Sequence, residues 1–196
     1  MSSDPDPMLA ATHYVDHHHP AIRTVVASLG PPDAQPDDYA RAVFEFVRDQ
    51  VPHTSDTGRQ VVTVTASQVL AERTGICHAR SNLLAALLRA RGIPAGFGFQ
   101  HLTLSDDESE GYCLHAFVMV RLGDRWVPLD PRAGTPFDLE SPRLPIACRD
   151  EFDEYVLPGI WAEPDAGTMS VLEQSTCLDD ALAKLPDRPT VAPAEL

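Results

Sequence analysis

Residues 75–100 read GICHARSNLLAALLRARGIPAGFGFQ, and a change of period inside this stretch decides the fold. From Ile76 to Arg91 apolar side chains recur at helical spacing, with Ala79, Leu83, Leu87 and Ala90 on one stripe and Leu84 and Leu88 beside it. So wide an apolar arc belongs to a helix covered on most sides. Gly92 stands where a left-handed C-cap residue is favoured, and Pro94 forbids continuation. From Ala95 the period becomes two, and Ala95, Phe97, Phe99 and His101 alternate with small or polar neighbours as in a strand. A buried central helix that carries Cys77 at its start and leads into a strand points to an α+β layout.

Downstream, Leu114 to Leu122 forms a second strand. Leu114, Ala116, Val118 and Val120 share one face, and His115, Phe117, Met119 and Arg121 the other. Gly123-Asp124 makes a two-residue turn into a third strand, Arg125 to Asp130. With that loop Leu122 faces Arg125, and counting back sets Phe117 opposite Asp130. His115 is then the diagonal neighbour of Asp130, roughly 7 to 8 Å away between backbones, a gap that two side chains leaning together can close. A loop one residue longer would turn Asp130 to the opposite face.

Upstream, Asp37 opens a helix whose Ala40, Val43, Phe44 and Val47 bury one face, and which ends near Pro52. Gln60 to Thr65 is β-branched and is expected as a short strand, followed by a helix over Ser67 to Arg73 that Gly75 breaks. Residues 1–11 and 186–196 are expected as poorly ordered ends around one domain, 12–185. His17, His18 and His19 are expected to form a solvated turn before Pro20, because three adjacent side chains diverge too much to share a metal.

The composition excludes several partners. With 29 acidic against 15 basic residues the net charge is -14, which repels phosphate backbones and anionic lipid surfaces. Neither nucleic acid nor a membrane is expected as a partner. Lys184 is the only lysine. Met1 to Thr12 has neither the charged nor the apolar region of a secretory signal, and no apolar run is long enough to span a bilayer. The expected location is cytoplasmic, where Cys77, Cys113, Cys148 and Cys177 stay thiols.

Cys77 at a helix start meets unpaired backbone N–H groups and the positive end of the helix dipole, both of which favour a thiolate. With His115 as base and Asp130 holding its ring, the residues form a nucleophile, a base and an orienter. The backbone N–H of Cys77 is one expected oxyanion donor. His53, Gln60, Gln68, Gln100 and His78 are candidates for the second donor or for substrate contacts. No cofactor or metal is called for.

These segments resemble a known family. Gly75 to Phe97 is similar to the nucleophile helix and following strand of bacterial transglutaminase-like proteins. Leu114-His115-Ala116-Phe117 and Trp126-Val-Pro-Leu-Asp130-Pro-Arg132 resemble their histidine and aspartate strands, in the same order. Phe46-Val-Arg-Asp49 and His19-Pro20-Ala21-Ile22 extend the likeness to roughly residues 12–183. It implies a papain-like α+β fold, with the cysteine helix packed on an antiparallel sheet, and a cysteine hydrolase or acyltransferase acting on a peptide or small acyl substrate. Family members often carry an aromatic residue where this chain has His53.

Two other readings compete. Cys77-His78 with Cys113 and His115 could furnish zinc ligands, although residues 77 and 78 would rarely both reach one ion and paired Cys-x-x-Cys knuckles are absent. A binding module could keep the fold without turnover.

Overall fold

The computed structural model describes residues 6–105 and 109–194. Four helices come first: α1 (Pro20–Ser28), α2 (Pro36–Gln50), α3 (Ala66–Glu72) and α4 (Cys77–Arg89). Three strands follow, β1 (Ala95–Thr103), β2 (Tyr112–Leu122) and β3 (Arg125–Leu129). A short β4 (Tyr155–Val156) and two helices, α5 (Ala166–Gln174) and α6 (Leu178–Leu182), complete the order. The strands form one antiparallel sheet in the order β3-β2-β1-β4. This is the α+β layout that the resemblance implies, with the cysteine-bearing helix packed on an antiparallel sheet.

α4 is the hub. Every residue from His78 to Arg89 is buried, and Leu83, Leu84, Leu87 and Leu88 have no exposure at all. Each such leucine contributes roughly 2 kcal/mol relative to leaving it in water. The polar residues of this helix are tied to main-chain carbonyls. Asn82 Nδ2 donates to Val64 O at 2.8 Å. Arg89 donates to Ala95 O, Ala10 O and Ala162 O, and burial lowers its pKa to about 10. Gly92 takes a φ of +72°, as the C-cap reading requires.

The hairpin follows the register read from its turn: Leu122 pairs with Arg125 and Val118 with Leu129. Phe97 and Phe99 are fully buried on the face toward α4. The opposite face explains the intervening glycines. A Cβ at Gly98 would stand 2.3 Å from the Phe117 ring, and one at Gly96 would stand 2.5 Å from Ile160 and 2.8 Å from the Met8 sulfur.

Two expectations are corrected, and of the ends expected to be poorly ordered, residues 1–5 and 195–196 lie outside the described residues. Gln60 to Thr65 is not a strand. Its polar groups are used locally instead: the Val64 and Thr65 N–H groups donate to Gln68 Oε1, and the Gln60 side chain donates to Asp179. His17 is buried rather than solvated, with its Nε2 bonded to Leu9 O at 3.3 Å, while His19 caps α1. The chain ends also carry specific contacts. Met8 is buried, and Ala10 O is held by Arg89. Beyond residue 185, Pro186 O accepts from Leu114 N–H, Asp187 O pairs with His101 Nδ1, Thr190 donates to Asp165, and Trp161 Nε1 donates to Val191 O. Proline-rich segments lack N–H donors, but their carbonyls remain strong acceptors, and here the sheet uses them.

Gly98→Ala is expected to destabilise the protein by about 1–3 kcal/mol, because the Phe117 ring must shift to admit the methyl group. Thermal melting checks this; an unshifted midpoint would show that the ring is not held there.

Candidate active site

β3 ends at Leu129, opposite Val118, so the earlier part of β2 has no strand beside it on that edge. Its backbone groups still need partners. Leu114 N–H is taken by Pro186 O, and Leu114 C=O accepts from His78 Nε2 at 2.7 Å. That second bond draws the start of α4 against β2 and brings Cys77 to His115.

His115 Nε2 donates to Asp130 Oδ2 at 2.7 Å, with both side chains buried. The other ring nitrogen is not used by that bond, and Cys77 lies near enough for the two groups to shift each other's pKa. Cys77 is half-buried at the first position of α4. Ile76 precedes it and supplies no capping oxygen, so the first-turn N–H groups stay free of a side-chain cap.

Burial alone would raise the Cys77 thiol. The charges of His78 and His115, with hydrogen bonds from His115 and His53, outweigh it and hold the thiol well below its ordinary range. Burial would likewise lower His115, but the Cys77 and Asp130 charges and hydrogen bonds push it up to about 10. The two shifts are coupled, since each group's charge is among the causes of the other's shift, and both run in the direction of a proton passed from sulfur to imidazole. Cys113 lies on β2 and lines the same cavity, yet it behaves oppositely. Its burial, with the nearby Cys77 and Glu154 charges, pushes its thiol up to about 11.

His53 lines the same cavity as Cys77 and contributes to the lowering of that residue's thiol. Its segment is fastened to the approach of α4, where Thr54 N–H donates to Gly75 O at 3.1 Å and Thr74 Oγ1 donates to Pro52 O at 2.9 Å. A Cβ at Gly75 would meet Thr63 Oγ1 at 2.9 Å, so this approach needs glycine. Ser55 N–H donates to His53 Nδ1 at 3.3 Å. His53 Nε2 therefore carries the ring proton and serves as the donor near Cys77.

The other candidates go elsewhere. Gln68 completes a capping box with Thr65, a role that the Thr-x-x-Gln spacing itself encodes. Gln60 binds Asp179 at 3.2 Å. Gln100 pairs with His115 in the β1–β2 register, but its amide donates to Ile146 O and Cys148 Sγ. His78 supports the site by charge and by its bond to Leu114.

Arg80 is the positioning residue that sequence reasoning missed. One turn after Cys77, it is buried and donates to Val47 O at 3.3 Å and Pro131 O at 2.6 Å. It fixes the chain just after Asp130 to the helix that carries Cys77. Burial lowers its pKa, against which the Asp130 and Cys77 charges act. The available signal was a cation three residues past the cysteine, on a helix whose apolar arc marks it as covered on most sides.

Cys77, His115 and His53 share a cavity of about 930 Å³ with Arg132 and Arg149, walled on its apolar side by Ile76, Leu102, Ile146 and Leu185. No helix among the described residues is long and apolar enough to cross a membrane.

A sequence model described as the transglutaminase-like superfamily matches residues 23–131, from α1 to just past Asp130. The chain belongs to the transglutaminase-like superfamily. Among solved structures it resembles a candidate cysteine protease from Cytophaga hutchinsonii, with a TM-score of 0.51 and 21% identity over 65% of this chain and 43% of that one. The periplasmic domain of TgpA from Pseudomonas aeruginosa aligns with a TM-score of 0.47 and 22% identity, over 66% of this chain and 48% of that one. The chain thus spans less than half the length of the solved chains it matches. No curated protein matches it at a significant level.

Arg80→Met is expected to cost about 3 kcal/mol of stability, since it strands the buried Pro131 carbonyl that a charged donor had satisfied and removes a second bond to Val47 O. Arg80→Lys should recover only part, because one ammonium cannot reproduce the planar fork. Urea titration of the three proteins measures both, and equal midpoints would mean that the clamp carries no weight.

Proposed function

We propose that the protein is a cysteine-dependent acyl-transfer enzyme acting on an amide, ester or thioester bond, and that it hydrolyses that bond. The reading is carried by one observation: Cys77, with its lowered thiol, and His115, backed by its bond to the buried Asp130, stand together in the wall of a substrate-sized cavity.

In this mechanism the Cys77 thiolate attacks the substrate carbonyl. The developing oxyanion is met by the Cys77 backbone N–H at the start of α4 and by His53 Nε2–H. The His115 imidazolium gives its proton to the leaving amine, alcohol or thiol, and Asp130 keeps the ring aimed throughout. Water then attacks the acyl-enzyme, with neutral His115 taking its proton, and the starting ion pair returns. The substrate is a peptide or a small acyl compound, and the reaction needs no cofactor. A reducing compartment such as the cytoplasm suits a chain whose four cysteines are free thiols.

Hydrolysis is preferred to amide formation because Cys77 is half-buried in a cavity that opens to solvent, which admits water. An amide-forming acyltransferase would use the same residues with an amine in place of water. Peptide and thioester libraries offered with and without a small amine separate the two, with Cys77→Ala as the blank.

The pH dependence has a definite sign. Because the thiol is lowered and the imidazole raised, the ion pair exists above the depressed Cys77 pKa and is lost as pH rises through about 10, where His115 gives up its proton. Alkylation of Cys77 by iodoacetamide should already be fast well below the ordinary thiol pKa of about 8.5. In His115→Ala the profile should move toward the ordinary thiol pKa, about 8.5. If His115→Ala alkylates with an unaltered profile, the pairing of these residues is refuted.

A further inference from the structure

Arg132 stands two residues after Asp130 and lines the same cavity as Cys77 and His115. Its backbone is fixed by a tight turn. Arg132 N–H donates to Asp130 O at 2.8 Å, and Arg132 O accepts from Thr135 N–H at 3.0 Å. The side chain is therefore launched from a firm point beside the reacting groups.

The guanidinium itself is uncommitted. It is exposed and makes no hydrogen bond or ion pair with any described residue. That is unusual company for this chain, which carries 29 acidic against 15 basic residues. Other arginines near the site are occupied. Arg80 is spent on two carbonyls. Arg149, on the same cavity wall, donates to Glu154 at 2.7 Å, and Arg149 holds the Glu154 carboxyl far below its usual range. Glu110 and Asp187 also face the cavity, and neither is paired with Arg132. What remains beside the nucleophile is one cation with a planar, forked donor set that matches a carboxylate.

We infer that Arg132 selects the substrate by pairing with a carboxylate of the acyl donor close to the scissile carbonyl, while the apolar wall takes the remainder of the acyl group. The substrate class is thus an acidic peptide or another carboxylate-bearing acyl compound. This runs against the overall charge, which repels anions at long range. The attraction is local and acts inside about one Debye length. The inference rests on the thiolate reading of Cys77 given above.

The test uses the full chain and two reagents that differ mainly in charge, iodoacetate and iodoacetamide. Second-order rates of Cys77 alkylation are measured at neutral pH and low salt for the unaltered protein, Arg132→Gln and Arg132→Lys. Arg132→Gln should lower the iodoacetate rate by about tenfold while leaving the iodoacetamide rate within about twofold. Arg132→Lys should retain much of the preference, and raised salt should erase it. An unchanged ratio between the two reagents in Arg132→Gln overturns the inference, as does an equal fall in both rates, which would mark Arg132 as a support of the turn. The iodoacetamide profile of the unaltered protein reports on the thiolate alone. An ordinary thiol there counts against the Cys77–His115 pair, and an unaltered ratio with a low-pKa thiol counts against Arg132 only.

Discussion

A strand that outlasts its neighbour leaves main-chain groups that must find other partners, and the bond from His78 to the Leu114 carbonyl answers that need. β3 stops at Leu129. In the gap beside β2, a helix start takes the place of a strand, so a cysteine, an imidazole and a carboxylate from three elements converge. The sheet edge and the site are one structural problem with one solution. Arg80 then locks it from behind by holding the chain after Asp130 against α4.

Charge arrangement follows from that convergence. Desolvation opposes a thiolate at Cys77 and an imidazolium at His115, and each is sustained only by the other and by neighbours held in place by α4 and β3. The contrast with Cys113 makes the point within a single cavity. The same atom type, two residues from the same histidine along β2, is driven up because it has burial without a donor. Position on a helix start beside a cation, rather than the presence of a cysteine, is what separates the lowered thiol from the raised one.

Much of this was legible in the residues. The hairpin register could be counted because a two-residue turn fixes it, and α4 announced itself by its unbroken apolar arc and its Gly92 stop. Elements whose reason lies far away in sequence were not legible. Gln60 to Thr65 has strand-like composition but joins no strand, and its Val64 and Thr65 N–H groups bond to the Gln68 side chain instead. Arg80 could not be assigned, since its partners are the carbonyls of Val47 and Pro131, and every residue type has a carbonyl. His53 was one candidate among five, and the Gly75 contact that brings it to Cys77 is a backbone feature without a sequence code.

The cavity wall draws on α6 and the residues after it, Leu182 to Asp187, whereas Cys77, His115 and Asp130 all precede them in chain order. During synthesis residues 77, 115 and 130 emerge from the ribosome first, and the last part of the wall around them arrives later. The bond from Leu114 N–H to Pro186 O can form only then, so this edge of β2 is completed by one of the final segments to be made.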